Sequence, residues 1–131
     1  MRGQLAIEAL VLLGASLAVL LTLSVAALGA ASDLSRQLGA QKARLAVSAL
    51  ADAARSVYYQ GDGALQTLWV LLPDDVSSLE AGNRTILLVT ASEMFHENLP
   101  FNVSGSLPAE PGLRRMQANA TASGVVIGVA P

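Results

Sequence analysis

Between positions 9 and 32 the chain carries no charged side chain, and no proline occurs before Pro73. Most of the uncharged positions are Ala, Leu or Val. About 20 such residues, rising roughly 1.5 Å each, match a bilayer hydrocarbon core of about 30 Å. Gly14, Ser16, Thr22, Ser24 and Gly29 are interspersed, and small residues let helices approach closely where no water drives them together. A stretch of this kind is expected to be a membrane-spanning helix, either a single-pass anchor or a helix that packs against copies of itself.

The helix is expected to continue beyond the uncharged stretch. Leu34, Leu38, Leu45, Leu50, Ala53, Ala54 and Val57 fall near helical spacing, while Asp33, Arg36, Lys42, Arg44, Asp52 and Arg55 take other positions. Gly39 is its weakest point, at about 1 kcal/mol relative to Ala. Gly61-Asp62-Gly63 supplies the stop. A helix over 4–60 would be roughly 80 Å long, far beyond one membrane thickness. Its second half must therefore lie outside the bilayer with one apolar face covered.

Positions 61–131 follow a period of two. Expected strands cover 66–72, 84–90, 100–105, 113–120 and 124–129, with Pro73-Asp74-Asp75 and Gly82-Asn83 as turns. In the fourth, Met116, Ala118 and Ala120 point one way, and Arg115, Gln117 and Asn119 the other. A sheet this small leaves an apolar face, and the outer half of the long helix is the available cover. Trp69, Tyr58 and Tyr59 are expected to serve core and helix-to-head packing. The fold class is therefore α+β: a long N-terminal helix on a small antiparallel sheet or sandwich.

Composition narrows the function. The chain has 131 residues, room for one small domain and a helix; 53% are apolar, and only 14% are charged, against about 25% in ordinary soluble domains. A net charge of −2 gives no basic field for nucleic acid. The absence of cysteine excludes disulfides and thiolate metal or redox sites. His96, the single histidine, stands between Glu93 and Glu97 without the ligand set of a metal centre and is expected in a solvated loop. With no phosphate loop, nucleophile elbow or basic-aromatic patch, neither an enzyme nor a cofactor is expected.

The junction Arg2-Gly3-Gln4-Leu5-Ala6-Ile7-Glu8 is the informative motif. A secretory signal has a 7–15-residue apolar core and then a small-residue cut site; here the apolar run is longer and a lone carboxylate sits at its edge. The junction resembles the class III signal peptide of archaeal type IV pilin-like proteins, most closely the adhesion-type pilins. In that family a short basic leader ends in Gly, the mature chain begins with Gln, and a Glu follows at its fifth position. Gly3, Gln4 and Glu8 match, while Ala6 stands where the family often has Ser. The match is close over about the first 30 residues and looser over the helix-then-sheet layout.

The resemblance implies a leader at 1–3 cut after Gly3 by a prepilin peptidase, a filament-core helix at 4–60, and an extracellular head at 61–131. It implies a homo-oligomeric helical filament at the cell surface, a membrane-embedded precursor, and an assembly ATPase with its membrane platform. It also implies that Glu8 pairs with the N-terminal amine of a neighbouring subunit. Such a pair at about 4 Å gains several kcal/mol at an effective dielectric near 20, and desolvation returns much of it. The role expected of Glu8 is therefore to set register.

Asn83-Arg84-Thr85, Asn102-Val103-Ser104 and Asn119-Ala120-Thr121 are N-glycosylation sequons, all beyond the helix. They agree with an exported head. The expected function is a structural subunit of a type IV pilus-like filament, serving adhesion. Two alternatives use the same residues: a single-pass anchored extracellular binding module that never polymerises, and a secreted domain released near Ala30-Ala31.

Overall fold

The computed structural model describes residues 2–131; Met1, the first residue of the expected leader, lies outside them. One α-helix, α1, runs over Arg2–Gln60. Seven strands follow: β1 (Leu65–Leu72), β2 (Val76–Gly82), β3 (Thr85–Thr90), β4 (Met94–Asn98), β5 (Val103–Ser106), β6 (Gly112–Thr121) and β7 (Gly124–Val129). The chain divides into two compact units, residues 1–37 and 38–131.

The first unit is helix throughout, and every described residue in it is exposed. Three hydroxyls on it donate back to the carbonyl four residues earlier: Ser16 to Leu12 at 2.8 Å, Thr22 to Ala18 at 2.9 Å and Ser24 to Leu20 at 2.8 Å. Each polar group is thus satisfied by its own helix, which is what an apolar surround demands.

The second unit holds the core. Its strands form one sheet in the order β1-β6-β7-β5-β2-β3-β4. The fold is α+β, as expected, with α1 packed on a curled sheet. The pairing is antiparallel except between β5 and β7, which run parallel, Val103 opposite Val125 and Ser104 opposite Val126. Strand β5 pairs on its other side with β2, Glu80 opposite Ser106 and Ala81 opposite Gly105. This four-residue strand joins β1-β6-β7 to β2-β3-β4. Two strands, β2 and β4, add to the five expected.

Helix positions Ala43, Ala46, Val47, Leu50, Ala51, Ala53, Ala54 and Val57 are buried against Val70, Leu72, Leu79, Ile86, Leu88, Met116, Ala118, Ala120, Val125 and Ile127. Five alanines on that face let the sheet curl close, and Leu50 fills its centre with no exposure. The apolar spacing of the sequence placed Leu38 and Leu45 on the covered face; they are 48% and 70% exposed. Small side chains around Leu50, not Leu38 and Leu45, set the contact, because a curled sheet closes on the helix only where little projects. At Gly61, with φ 107°, the helix stops as expected, the Gly61 amide donating to the Val57 carbonyl at 3.2 Å.

Edge strand β4 is tied to α1 by polar contacts. Arg55 donates to Glu97 at 2.8 Å and to Asp52 at 3.1 Å. The hydrogen bond that Arg55 donates to Glu97, with the Glu97 and Asp52 charges, raises the Arg55 pKa above its ordinary value against the opposing effect of burial. The Arg44 guanidinium lies 5.9 Å from the Phe95 ring centroid. Because the Arg55–Glu97 pair is partly exposed, Glu97→Gln is expected to cost no more than about 1 kcal/mol. Faster amide exchange confined to 94–98 is the measurement that shows β4 loosened.

Candidate functional site

The candidate assembly residues lie on α1. Gly3, Gln4 and Glu8 fall within its first turns and are exposed. Among the described residues Glu8 forms no ion pair. Beyond it, Leu10, Leu13, Leu17, Leu20, Leu21 and Leu28 are each at least half exposed, from 52% to 72%. By length and composition the helix is able to cross a membrane. A shallow furrow lined by Leu12, Ala15, Ser16, Val19 and Leu20 marks where small residues lower the surface. Apolar surface of this extent needs lipid or another apolar surface against it.

Parity along the sheet is consistent from strand to strand, so its convex face can be read directly. Leu65, Thr67, Trp69 and Leu71 of β1 stand opposite Asn119, Gln117, Arg115 and Leu113 of β6. Asn119 and Gln117 then face Val126 and Gly128 of β7. At the other side, Leu87 faces Glu80 and His96, and Val89 faces Ser78 and Met94.

Trp69 corrects an expectation: it lies on this convex face, 63% exposed, not in the core. The strand Leu-Gln-Thr-Leu-Trp-Val-Leu-Leu is apolar on both faces, so period alone left its orientation open. Core packing falls to Leu72 and Val70 instead. Tyr58 does join helix to head, its ring stacked on Phe101 at 4.1 Å, while Tyr59 is 72% exposed. His96 sits in a strand rather than a loop, exposed on the convex face.

The three sequon asparagines gather at one end of the sheet, the end where α1 stops. Asn83 occupies the β2–β3 turn with φ 51°, followed by Arg84 at 64°, the double left-handed geometry of a tight hairpin. The Asn102 carbonyl accepts from the Val125 amide at 2.9 Å. Asn119 pairs with Leu65 and Val126, and the Ala120 carbonyl next to it accepts from Gly63 at 2.9 Å. Asn83 and Asn102 are exposed and Asn119 is half-buried.

The opposite end carries large apolar side chains. There Leu71 (46%), Leu113 (59%) and Met94 (65%) are exposed. Beside them a groove of about 300 Å³ runs between edge strand β1 and α1, lined by Leu45, Ala46, Ala49, Trp69, Val70 and Leu71 with Lys42 as its one charged residue. This surface was not anticipated from sequence; the available signal was an uncharged eight-residue strand without the charges or proline that usually protect an edge.

Compared with protein-family models, with curated proteins and with solved structures, the chain finds no match.

Proposed function

We propose that the chain is a structural subunit of a type IV pilus-like extracellular filament, polymerising through the N-terminal part of α1 and serving adhesion. The observation that carries this reading is the helix over residues 2–37: every described position is exposed, the stretch 9–32 carries no charge, and the carboxylate of Glu8 stands at the edge of that stretch. In the precursor, lipid covers that helix. In the polymer, sister helices replace lipid, so the driving force is the difference between two apolar surrounds and assembly needs energy from outside the chain. The Gly3-Gln4 junction is the cleavage site for a prepilin peptidase in this reading, and the free amine of Gln4 is the partner of Glu8 on a neighbour.

The head is extracellular in this reading, with glycans on Asn83, Asn102 and Asn119. The chain itself carries no chemistry beyond binding and assembly.

Glu8→Ala is the test. The variant is expected to reach the membrane at the wild-type level, while the fibre recovered by shearing falls at least about tenfold, the equivalent of roughly 1.4 kcal/mol per subunit contact. Fibre at the wild-type level in Glu8→Ala cells would contradict the role of Glu8 and favour a monomeric anchored module.

A further inference from the structure

The two edges of the head's sheet are finished differently. At β4, Arg55–Glu97 and Arg44 over Phe95 hold the edge to the helix. At β1, eight residues without a charge border an apolar groove. An unprotected apolar edge is normally covered in the working assembly.

The convex face beside each edge is apolar but opposite in charge. Next to β1, Trp69, Leu71 and Leu113 surround the exposed Arg115. Next to β4, Met94 and Val89 lie beside Glu93, with Glu80 on β2 opposite Leu87; Arg44 and His96 also border Met94, and the two glutamates leave the patch net acidic. Arg115 donates to the Pro131 main-chain oxygen at 3.4 Å and, like Glu80 and Glu93, has no acidic or basic side-chain partner among the described residues. From this complementarity we infer that the β1-side patch of one head docks on the β4-side patch of a second copy of this chain.

The inference rests on the polymer proposed above and names the head contact within it. Each copy presents two different patches, so the contact is head-to-tail and leaves one patch free at each end, the geometry of rings and open filaments. Trp69 alone offers on the order of 150 Å², suited to the centre of an interface, and Arg115 with Glu80 and Glu93 suits its polar rim. The three sequons are at the other end of the sheet, so glycans there leave the contact clear.

The cysteine-free chain allows a direct test. Thr67→Cys, beside Trp69, Ser92→Cys, beside Glu93, and the double variant are treated on cells with a short bis-maleimide, and sheared and membrane fractions are resolved by size. The double variant is expected to give a ladder of dimers, trimers and higher species. Each single variant is expected to stay monomeric, and cells expressing both singles to give dimers that extend no further. Dimers from Thr67→Cys alone overturn the inference, because they require like patches to meet. Normal fibre without a ladder overturns it while leaving the polymer reading intact. Absence of both fibre and ladder overturns the two together, and a ladder without fibre keeps the contact and removes the pilus. Charge reversal in the cysteine-free chain covers cysteine variants that fold poorly: Arg115→Glu, or Glu80→Arg with Glu93→Arg, is expected to reduce about tenfold the dimer that the wild-type chain gives on formaldehyde treatment of cells, and all three together to restore it. Failure of the combination to recover overturns the pairing.

Discussion

Replacing Gly105 with Ala is expected to unfold the head or leave it marginal, at a cost of about 3–5 kcal/mol. A Cβ at this position would fall on the carbonyl oxygen of Ile127, and the backbone sits at φ +147°, where side chains are rarely accommodated. Strain of this kind costs about 1–3 kcal/mol. The overlap is with main chain, so β5 must also move away from β7 and surrender ladder hydrogen bonds worth about 0.5–1.5 kcal/mol each. The position matters because β5 alone, among the described strands, links the two halves of the sheet. Against a total stability on the order of 5–15 kcal/mol, the loss is large. Thermal unfolding of the detergent-solubilised full chain, followed by near-ultraviolet circular dichroism, measures it. Gly128→Ala is the control, since a Cβ there meets nothing within 4 Å; it is expected to melt within a few degrees of wild type.

Leu50→Ala is expected to cost about 2–5 kcal/mol, the range for a buried Leu truncated in a packed interior. Leu50 has no exposure and stands among alanines, whose short side chains cannot close over the vacancy. The upper half of the range is therefore expected. Leu45→Ala, on the same helix but 70% exposed, is expected to change stability by less than about 0.5 kcal/mol. Urea titration of both variants checks the contrast. Equal losses would mean that the leucine spacing, and not the alanine face, sets the contact between α1 and the sheet.

That contrast shows what was legible in the sequence. The length of α1 and its stop at Gly61 follow from uncharged residues, absent prolines and a glycine pair, all local signals. The inward parity of Met116, Ala118 and Ala120 was equally readable, because Arg115, Gln117 and Asn119 alternate with them. Strand β2, Val-Ser-Ser-Leu-Glu-Ala-Gly, and strand β4, Met-Phe-His-Glu-Asn, were not. Their composition favours loop or helix, and they are strands because β3 lies between them and supplies partners to both. The parallel β5–β7 pair depends on a crossing of chain segments that no local pattern encodes.

The candidate surfaces divide in the same way. Glu8, Gly3 and Gln4 are visible as a motif, and the sequons as triplets. Their convergence at one end of the sheet is a property of register: Asn83, Asn102 and Asn119 are widely separated along the chain and meet only through strand pairing. The side of Trp69 is not legible because each face of β1 carries three apolar residues and one polar one, Thr67 on one face and Gln66 on the other. Arg55 and Glu97, 42 positions apart, could be paired only once the sheet had brought β4 to the helix.

The central claim is that the apolar part of α1 remains on the exported chain and is covered by sister copies. Intact-mass and peptide mapping of fibres sheared from the cell surface test it most directly. The account predicts a polypeptide that begins at Gln4, retains the uncharged stretch 9–32, and sediments as a polymer. A surface chain that begins near Ser32, or one that keeps its N-terminal helix yet stays a dispersed monomer in the membrane fraction, would contradict it.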